Sequence, residues 1–537
     1  MKYKLIGDNC VFSPIECILE NRGITKELFE LTDNCIETYN NYDNIEDGID
    51  LLVKHIESKS NIHIVVDSDV DGATSFAILY NYLKSEFKDI NITYSIHEGK
   101  QHGLSKDINI KDNINLVILP DSSSNDYAQH KELKDRGIDV LILDHHLASK
   151  YSENAIVINN QLSNNVKNKQ LSGAGVVYKF LKALDGYLFI NKADYYLDLV
   201  ALGNIADMMD LHEEETRYLC YKGMEQINNT FIKALIENNS FDLDNKFSVM
   251  QLSWTIAPKL NGVIRSGTLV EKSNMFKAFI SNDYDFCLEV AKKCKNAKSR
   301  QDNAVKRYMK SIEDIDTTNK KCILLEVDEK LNRNHTGLVA NKLMSKYGVP
   351  ILLYRETKEG LVEGSGRGND NITKDFNADL INSDYMQYVE GHEQAFGFGI
   401  KKENINKLEE YLNRLYVDKI PSLEEEYDVD FDVEFEELDN DFITEIASYE
   451  KQWGGGIAEP LIHISKVYIG DVTKDNMIGN SLLNFYVDDI EFCKKYPTKL
   501  FRESIFNRTF EAEIIGKFTM DTYKNCGRIE IVDMEIK

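Results

Sequence analysis

The segment 61–81, NIHIVVDSDVDGATSFAILYN, places three carboxylates at the end of an apolar run, and that order restricts what the chain can become. Ile62, Ile64, Val65 and Val66 read as a short buried strand, with Asp67, Asp69 and Asp71 at alternate positions before Gly72. Past the glycine, Phe76, Ala77, Leu79, Tyr80 and Leu83 keep helical spacing, so the segment predicts strand, tight turn and helix. In open α/β sheets such junctions are where ligands gather, and carboxylates crowded there repel one another unless cations neutralise them. Taken alone, the pattern also fits an Asp-rich turn or helix cap. Two later strands end the same way: the run 116–119 leads into Pro120 and Asp121, and the run 140–143 into Asp144, His145 and His146. Three successive strand ends thus deliver acidic and imidazole groups to one rim.

At 537 residues the chain exceeds what one core usually holds, so three or four domains are expected. With 42% hydrophobic and 28% charged residues the composition is that of a globular protein. No apolar run approaches the roughly 18 residues of a membrane span, and MKYKLIGDNCVF lacks a signal-peptide core, so a cytoplasmic location is expected. Nine scattered cysteines without a close CxxC pair point to reduced thiols rather than a disulfide frame or zinc site. A net charge of −26 argues against nonspecific nucleic-acid binding over the whole surface but leaves room for a local basic groove.

Along the chain, residues 1–60 carry helical patterning around Ile15, near Leu28 and Phe29, and again from Ile49 to Ile56. From Ile62 to about residue 160 strands and helices alternate, predicting an α/β domain with a mostly parallel sheet. In KQLSGAGVVYKFLKAL, Ser172 is placed to cap a helix whose small residues allow close packing, and a substrate loop is an equal reading. In YYLDLVALGNIADMMD, Asp207 lies near a helix end. A site built from Asp69, Asp71, Asp121, His145 and Asp207 would hold hard divalent cations, Mn²⁺ by its mixed ligation or Mg²⁺ with retained waters. Two such ions about 3.5 to 4 Å apart suit phosphoester hydrolysis.

The series Asp67-Ser-Asp69-Val-Asp71-Gly72, Asp121, Asp144-His145-His146 and Asp207 resembles the four motifs of the DHH phosphoesterase superfamily, most closely its RecJ-type single-strand exonucleases. LSGAGVVYK, ALGNIADMMDL and IAPKLNGVIRSG extend the likeness, while HTGLVANKLMSKYGVPILL, GSGRG and GHEQAFGFGI resemble the companion DHHA1 domain. The resemblance implies that Asp69, Asp71, Asp121, His145 and Asp207 ligate two metal ions, with Asp67 a further ligand or a support. It implies that His146 contacts the scissile phosphate and that Asp144 orients the histidines. Arg265, Ser365, Arg367, Gly391 and His392 would hold the strand, with structural ion pairs or turns as the plain reading of Arg265, Arg367 and His392.

The implied architecture is a helical extension over 1–60, a DHH core over 61–283, a connecting helix over 284–316, a DHHA1 domain over 317–420 and a small OB-like β-barrel over 421–537. The helix around 284–312 carries Lys292, Lys293, Lys295, Lys298, Arg300, Lys306, Arg307 and Lys310, either a strand path or a solvated face. In the last domain Phe485, Tyr486, Phe518, Tyr523, Lys524 and Arg528 are candidates for strand contact or for core. Departures from the family pattern fall on Glu390 before Gly391, on Gly368 closing GSGRG, on Ala148 where a proline is usual, and on PDSSSND after the second strand. The activity implied is 5′→3′ hydrolysis of single-stranded DNA to mononucleotides in recombination and repair, with a helicase or single-strand-binding protein as partner and no membrane. Hydrolysis of short oligonucleotides or cyclic dinucleotides is one alternative, and a noncatalytic strand-binding scaffold is another. Asp71→Ala is expected to abolish hydrolysis while leaving folding near normal.

Overall fold

The computed structural model describes all residues except 99–100, 106–107, 241, 244–246, 313–314, 316–319, 358–359, 420–425, 480 and 522–523. It falls into two compact units, residues 1–295 with 426–537, and residues 296–425.

In the first unit, β2 (Asn61–Val66), β3 (Asn91–Ile96), β4 (Leu116–Pro120), β5 (Asp139–Asp144) and β6 (Ile156–Asn159) pair in parallel in the order β3-β2-β4-β5-β6. β4 is buried along its whole length and β2 along all but its first residue, which is why both read as continuous rather than alternating apolar runs. Helix α2 (Ile45–Glu57) packs against α5 (Gly173–Leu188), and α3 (Val70–Glu86) packs against both α5 and α6 (Leu197–Ala206). Strand order reverses between β2 and β4, the topological switch where a parallel sheet opens a crevice at its carboxyl edge. Asp67 leaves β2 and Asp121 leaves β4 at that crevice.

His63 on β2 is buried between Thr93 Oγ1, 2.8 Å from Nδ1, and Ser95 Oγ, 3.0 Å from Nε2. Burial, with Lys111 nearby, pushes its imidazole down to about 4. A folded value below the unfolded one near 6.5 means its stabilising contribution is whole above about pH 6.5 and is lost as pH falls through 4. His63→Gln should therefore flatten the acid side of a melting-temperature profile between those limits, and an unchanged slope would contradict this.

The second unit holds a five-stranded mixed sheet in the order β10-β11-β9-β8-β7. Its strands are β7 (Ile323–Glu326), β8 (Ile351–Glu356), β9 (Leu361–Arg367), β10 (Met386–His392) and β11 (Ala395–Lys401). The helix Thr336–Tyr347 packs on β8 and β9.

After residue 425, β12 (Glu426–Val429) pairs in parallel with β1 (Lys2–Leu5). The alternating run around Val429 to Phe435 is split: β13 (Phe431–Glu434) joins a different, seven-stranded sheet, and Phe435 begins a 3₁₀ turn. That sheet adds β14 (Ile462–Ile469), β15 (Met477–Ile478), β16 (Leu482–Val487), β17 (Ile490–Lys495), β18 (Phe510–Asp521) and β19 (Cys526–Ile536), in the order β13-β14-β18-β19-β17-β16-β15. Its two edge strands do not pair with each other among the described residues, so the expected closed OB-like barrel is an open, mostly antiparallel sheet. Ile15, Ile18 and Leu19 of α1 (Pro14–Asn21), with Leu28, join this sheet's core, so the start of the chain packs with the C-terminal sheet while α2 serves the parallel one.

Candidate metal centre

The first-strand carboxylates are handled in three different ways. Asp69 is the N-cap of α3, its Oδ1 accepting from the Gly72 amide at 2.8 Å. Asp71, in the first turn of α3 and 2% exposed, is captured by α5: it accepts from Ser172 Oγ at 2.9 Å, from the Gly173 amide at 2.6 Å and from the Ala174 amide at 3.1 Å. Ser172 stands at the N-cap position, but its hydroxyl serves Asp71 rather than its own helix. Asp67 is fully buried and turns to the following loop, accepting from His102 Nδ1 at 2.6 Å and from the Gly103 amide at 3.2 Å.

Asp121 follows β4 with φ +65°, and Ser123 has φ +80°. Asp adopts the left-handed region more readily than most residues, which lets the PDSSSND turn work without a glycine. The same backbone turn aims the carboxylate into the protein, where both oxygens are buried and, among the described residues, receive no hydrogen bond. Burial, reinforced by Asp71, Asp69, Asp67 and Asp207, holds its carboxyl well above the usual carboxylate range. Asp207 sits at the C-terminal end of α6, the end of a helix dipole that disfavours negative charge. Burial with Asp71 and Asp69 pushes it up to about 8.

His145 lies at the centre. Its Nε2 is 3.2 Å from Asp121 Oδ1, 3.5 Å from Asp207 Oδ2 and 3.8 Å from Asp71 Oδ2. Burial pushes its imidazole below the usual range, the neutral form that binds metals. Buried Asp144 accepts from the amides of Ser124, His145 and His146 and from His146 Nδ1 at 2.8 Å. Against the cost of burial, His146 and His145 hold the Asp144 carboxyl well below the usual range. Burial opposes charge on His146 as well, yet Asp144 lifts it to about 9. The His146 side chain stays about half exposed, with 51% of its surface open.

A divalent cation fits this donor set. Two disfavoured carboxylates, one of them with both oxygens buried and without a hydrogen bond among the described residues, converge with an imidazole whose burial disfavours its charged form, and oxygen with one nitrogen suits Mn²⁺ or Mg²⁺. Atoms of Asp71, His145 and Asp207 lie within 4.8 Å of one another, as do those of Asp121, His145 and His146, and those of Asp67, Asp69 and His102. His102 was not legible beforehand: it stands in GKQHGLS, outside any periodic pattern, and only the folded loop brings it to Asp67.

Gly173 sits so close that a Cβ there would lie 2.4 Å from Asp121 Cβ and Oδ1. Gly173→Ala should therefore lower hydrolysis at least about tenfold while every ligand remains, because a small displacement misaligns a metal site. Equal rates at subsaturating Mn²⁺, with normal circular dichroism, would refute this.

The strand-binding candidates divide between the units. Arg265 lies in the last turn of the helix Ala257–Ser266, which packs on α3, and burial lowers its pKa against the opposing pull of the Asp69 charge. In the second unit, Arg367, Ala395 and His392 occupy one row across β9, β11 and β10, and Ser365, Gly397 and Glu390 occupy the row two residues on. Strand alternation puts both rows on one face, with Ala395 and Gly397 as a low floor between the polar pairs. Gly391, with φ +138°, falls in the intervening row on the opposite face.

Of the aromatic candidates, Phe485 and Phe518 are core and Arg528 is buried beside Asp521, whereas Tyr486 is exposed beneath Lys524, itself paired with Glu491. Tyr523 lies outside the described residues. Of the cationic helix Tyr284–Ser311, Lys293, Lys295 and Lys298 are paired with Glu289, Asp242 and Asp302. Among the described residues no helix is long and apolar enough to cross a membrane.

A parallel α/β sheet with carboxylates and imidazoles gathered at its switch point defines the class. Residues 61–204 match the DHH family, N-terminal domain. The whole chain aligns at 35% identity with 98% of YorK, an SPbeta prophage-derived protein of Bacillus subtilis (strain 168) named as a candidate single-strand DNA-specific exonuclease. The single-stranded-DNA-specific exonuclease RecJ of the same organism is 28% identical over 69% of this chain and 47% of its own. The crystal structure of RecJ in complex with Mn²⁺ from Thermus thermophilus superposes with a TM-score of 0.75, covering 98% of this chain and 77% of that one at 19% identity. The chain belongs to the DHH family, in its RecJ-like branch of single-strand DNA-specific exonucleases.

Proposed function

We propose that the protein is a metal-dependent exonuclease of single-stranded DNA, working 5′→3′ and releasing 5′-mononucleotides in recombination or repair. The observation that carries this reading is the pair of buried Asp121 oxygens, without a hydrogen bond among the described residues and with His145 Nε2 at 3.2 Å, a burial cost that a bound cation would offset. Asp69, Asp71, Asp121, His145 and Asp207 would hold two Mn²⁺ or Mg²⁺ ions. When bound, these ions supply an activated water and charge neutralisation at the phosphate.

The chain's own groups do the rest. Asp144 fixes the half-exposed His146 ring through Nδ1, which would leave the other nitrogen as a cationic donor for a phosphate oxygen. Asp67 holds His102 and the 102–103 backbone at the rim as a support rather than a ligand. Arg265, near Asp69, would serve the phosphate backbone, and Ser365, Arg367 and His392 on one face of the second unit would contact the strand as well. Action on duplex ends requires a helicase or single-strand-binding partner, and the expected place of work is the cytoplasm.

The test is hydrolysis of a long single strand labelled at either end, with Mn²⁺, Mg²⁺ or chelator, beside duplex, RNA and a dinucleotide. Metal-dependent release of mononucleotides from the 5′ label is expected. Cleavage of the dinucleotide alone, or binding without cleavage under either metal, would overturn the reading.

A further inference from the structure

The helix that ends at Arg265 begins with a feature the metal centre does not use. Immediately before Ala257–Ser266, the segment Leu252–Ile256 forms a π-turn, an uncommon distortion that recurs at functional sites. Leu252 and Ile256 are buried, and Trp254 between them projects outward with 70% of its surface exposed. The chain has two tryptophans, and the other, Trp453, is 2% exposed in the C-terminal core. Trp254, Pro258, Asn261 and Arg265 follow one another at intervals of four, three and four residues, Trp254 exposed and the other three half-buried. Leu260, Val263 and Ile264 turn inward. An α-helical rise puts Trp254 roughly 16 Å along this line from Arg265. The line therefore runs from the edge of the metal centre to an exposed indole, and an indole face binds any base without regard to sequence.

We propose that Trp254 is a base-stacking platform for the substrate strand, a few nucleotides from the reacting phosphate along the Trp254 to Arg265 line. The proposal rests on the exonuclease reading and adds a binding subsite to it. Arg265 serves the charged backbone at one end and Trp254 a nucleobase at the other, a division suited to gripping a strand of any sequence. Its surroundings agree with a single-strand ligand: Asn261 offers a polar group between the two ends, and Pro258 a flat apolar surface.

The test uses the full-length protein, stopped-flow mixing with oligo-dT in Mn²⁺ so that the signal precedes turnover, and a parallel run in chelator. Because Trp453 is buried, a stacked base should quench emission chiefly from Trp254. Wild-type emission is expected to fall as the strand binds. Trp254→Phe should lose most of the quench yet keep affinity within about twofold, since a phenyl ring still stacks, while Trp254→Ala should weaken binding about five- to 150-fold. Anisotropy of a labelled strand gives affinity independently, and circular dichroism checks the fold of each variant. Wild-type binding with unchanged emission, or wild-type affinity in a folded Trp254→Ala, overturns the proposal and leaves the exonuclease reading standing. A wild-type protein that neither binds nor hydrolyses the strand overturns both.

Discussion

Asp121→Asn should abolish metal-dependent hydrolysis and raise, rather than lower, the melting temperature of the metal-free protein. The carboxylate is 1% exposed and receives no hydrogen bond among the described residues, and the charges of Asp71, Asp69, Asp67 and Asp207 act against it. Removing its charge while keeping its shape relieves burial and like-charge repulsion together, for a gain of about 1 to 2 kcal/mol without metal. With Mn²⁺ the sign reverses. The wild type gains stability by binding the ion to the folded state only, and a variant lacking a central ligand forgoes most of that gain. Thermal unfolding with chelator and across an Mn²⁺ series separates the two effects. A lower chelator melting temperature, or an undiminished Mn²⁺ response, would contradict the role assigned to Asp121.

Asp71→Ala should behave oppositely in the absence of metal. Hydrolysis is expected to fall by at least about 10³-fold, the scale of losing a group that acts directly on transition-state charge. Folding, however, should not stay near normal, contrary to what the sequence suggested. Ser172 Oγ and the amides of Gly173 and Ala174 would lose their acceptor at the buried start of α5. Stranded donors and a lost helix-end carboxylate cost about 2 to 4 kcal/mol. Urea unfolding in chelator is the check: an unchanged midpoint would mean that the α5 terminus finds another acceptor. The pair Asp121→Asn and Asp71→Ala, both inactive but shifted in opposite directions without metal, distinguishes a carboxylate present for the cation from one that also builds the fold.

Much of this centre was legible from local pattern. A buried parallel strand has to be a short apolar run, its chain exits at the carboxyl edge, and polar residues placed just after it can only collect there. That reasoning located Asp67, Asp69, Asp71, Asp121, Asp144, His145 and His146 from residue order alone. Asp207 was weaker, since a lone acid at a helix end is ordinary, and its importance depends on α6 packing against α3. The barrel expectation failed for a related reason. Alternation in β13 to β19 reports which face of each strand is buried, but closure depends on whether the two edge strands meet, and sequence periodicity carries no information on that.

By itself, then, the sequence determined the strand ends, their acidic and imidazole cargo and the family, because these depend on residue order within a few turns of chain. Tertiary structure alone decided what each carboxylate does. Asp71 is claimed by α5 from a hundred residues away and Asp67 by His102, whereas Asp121 receives no hydrogen bond among the described residues and faces His145. Hydrogen bonding and burial are set by neighbours in space, and three aspartates alike in sequence become a helix anchor, a loop support and a buried carboxyl facing an imidazole only when the chain has closed around them.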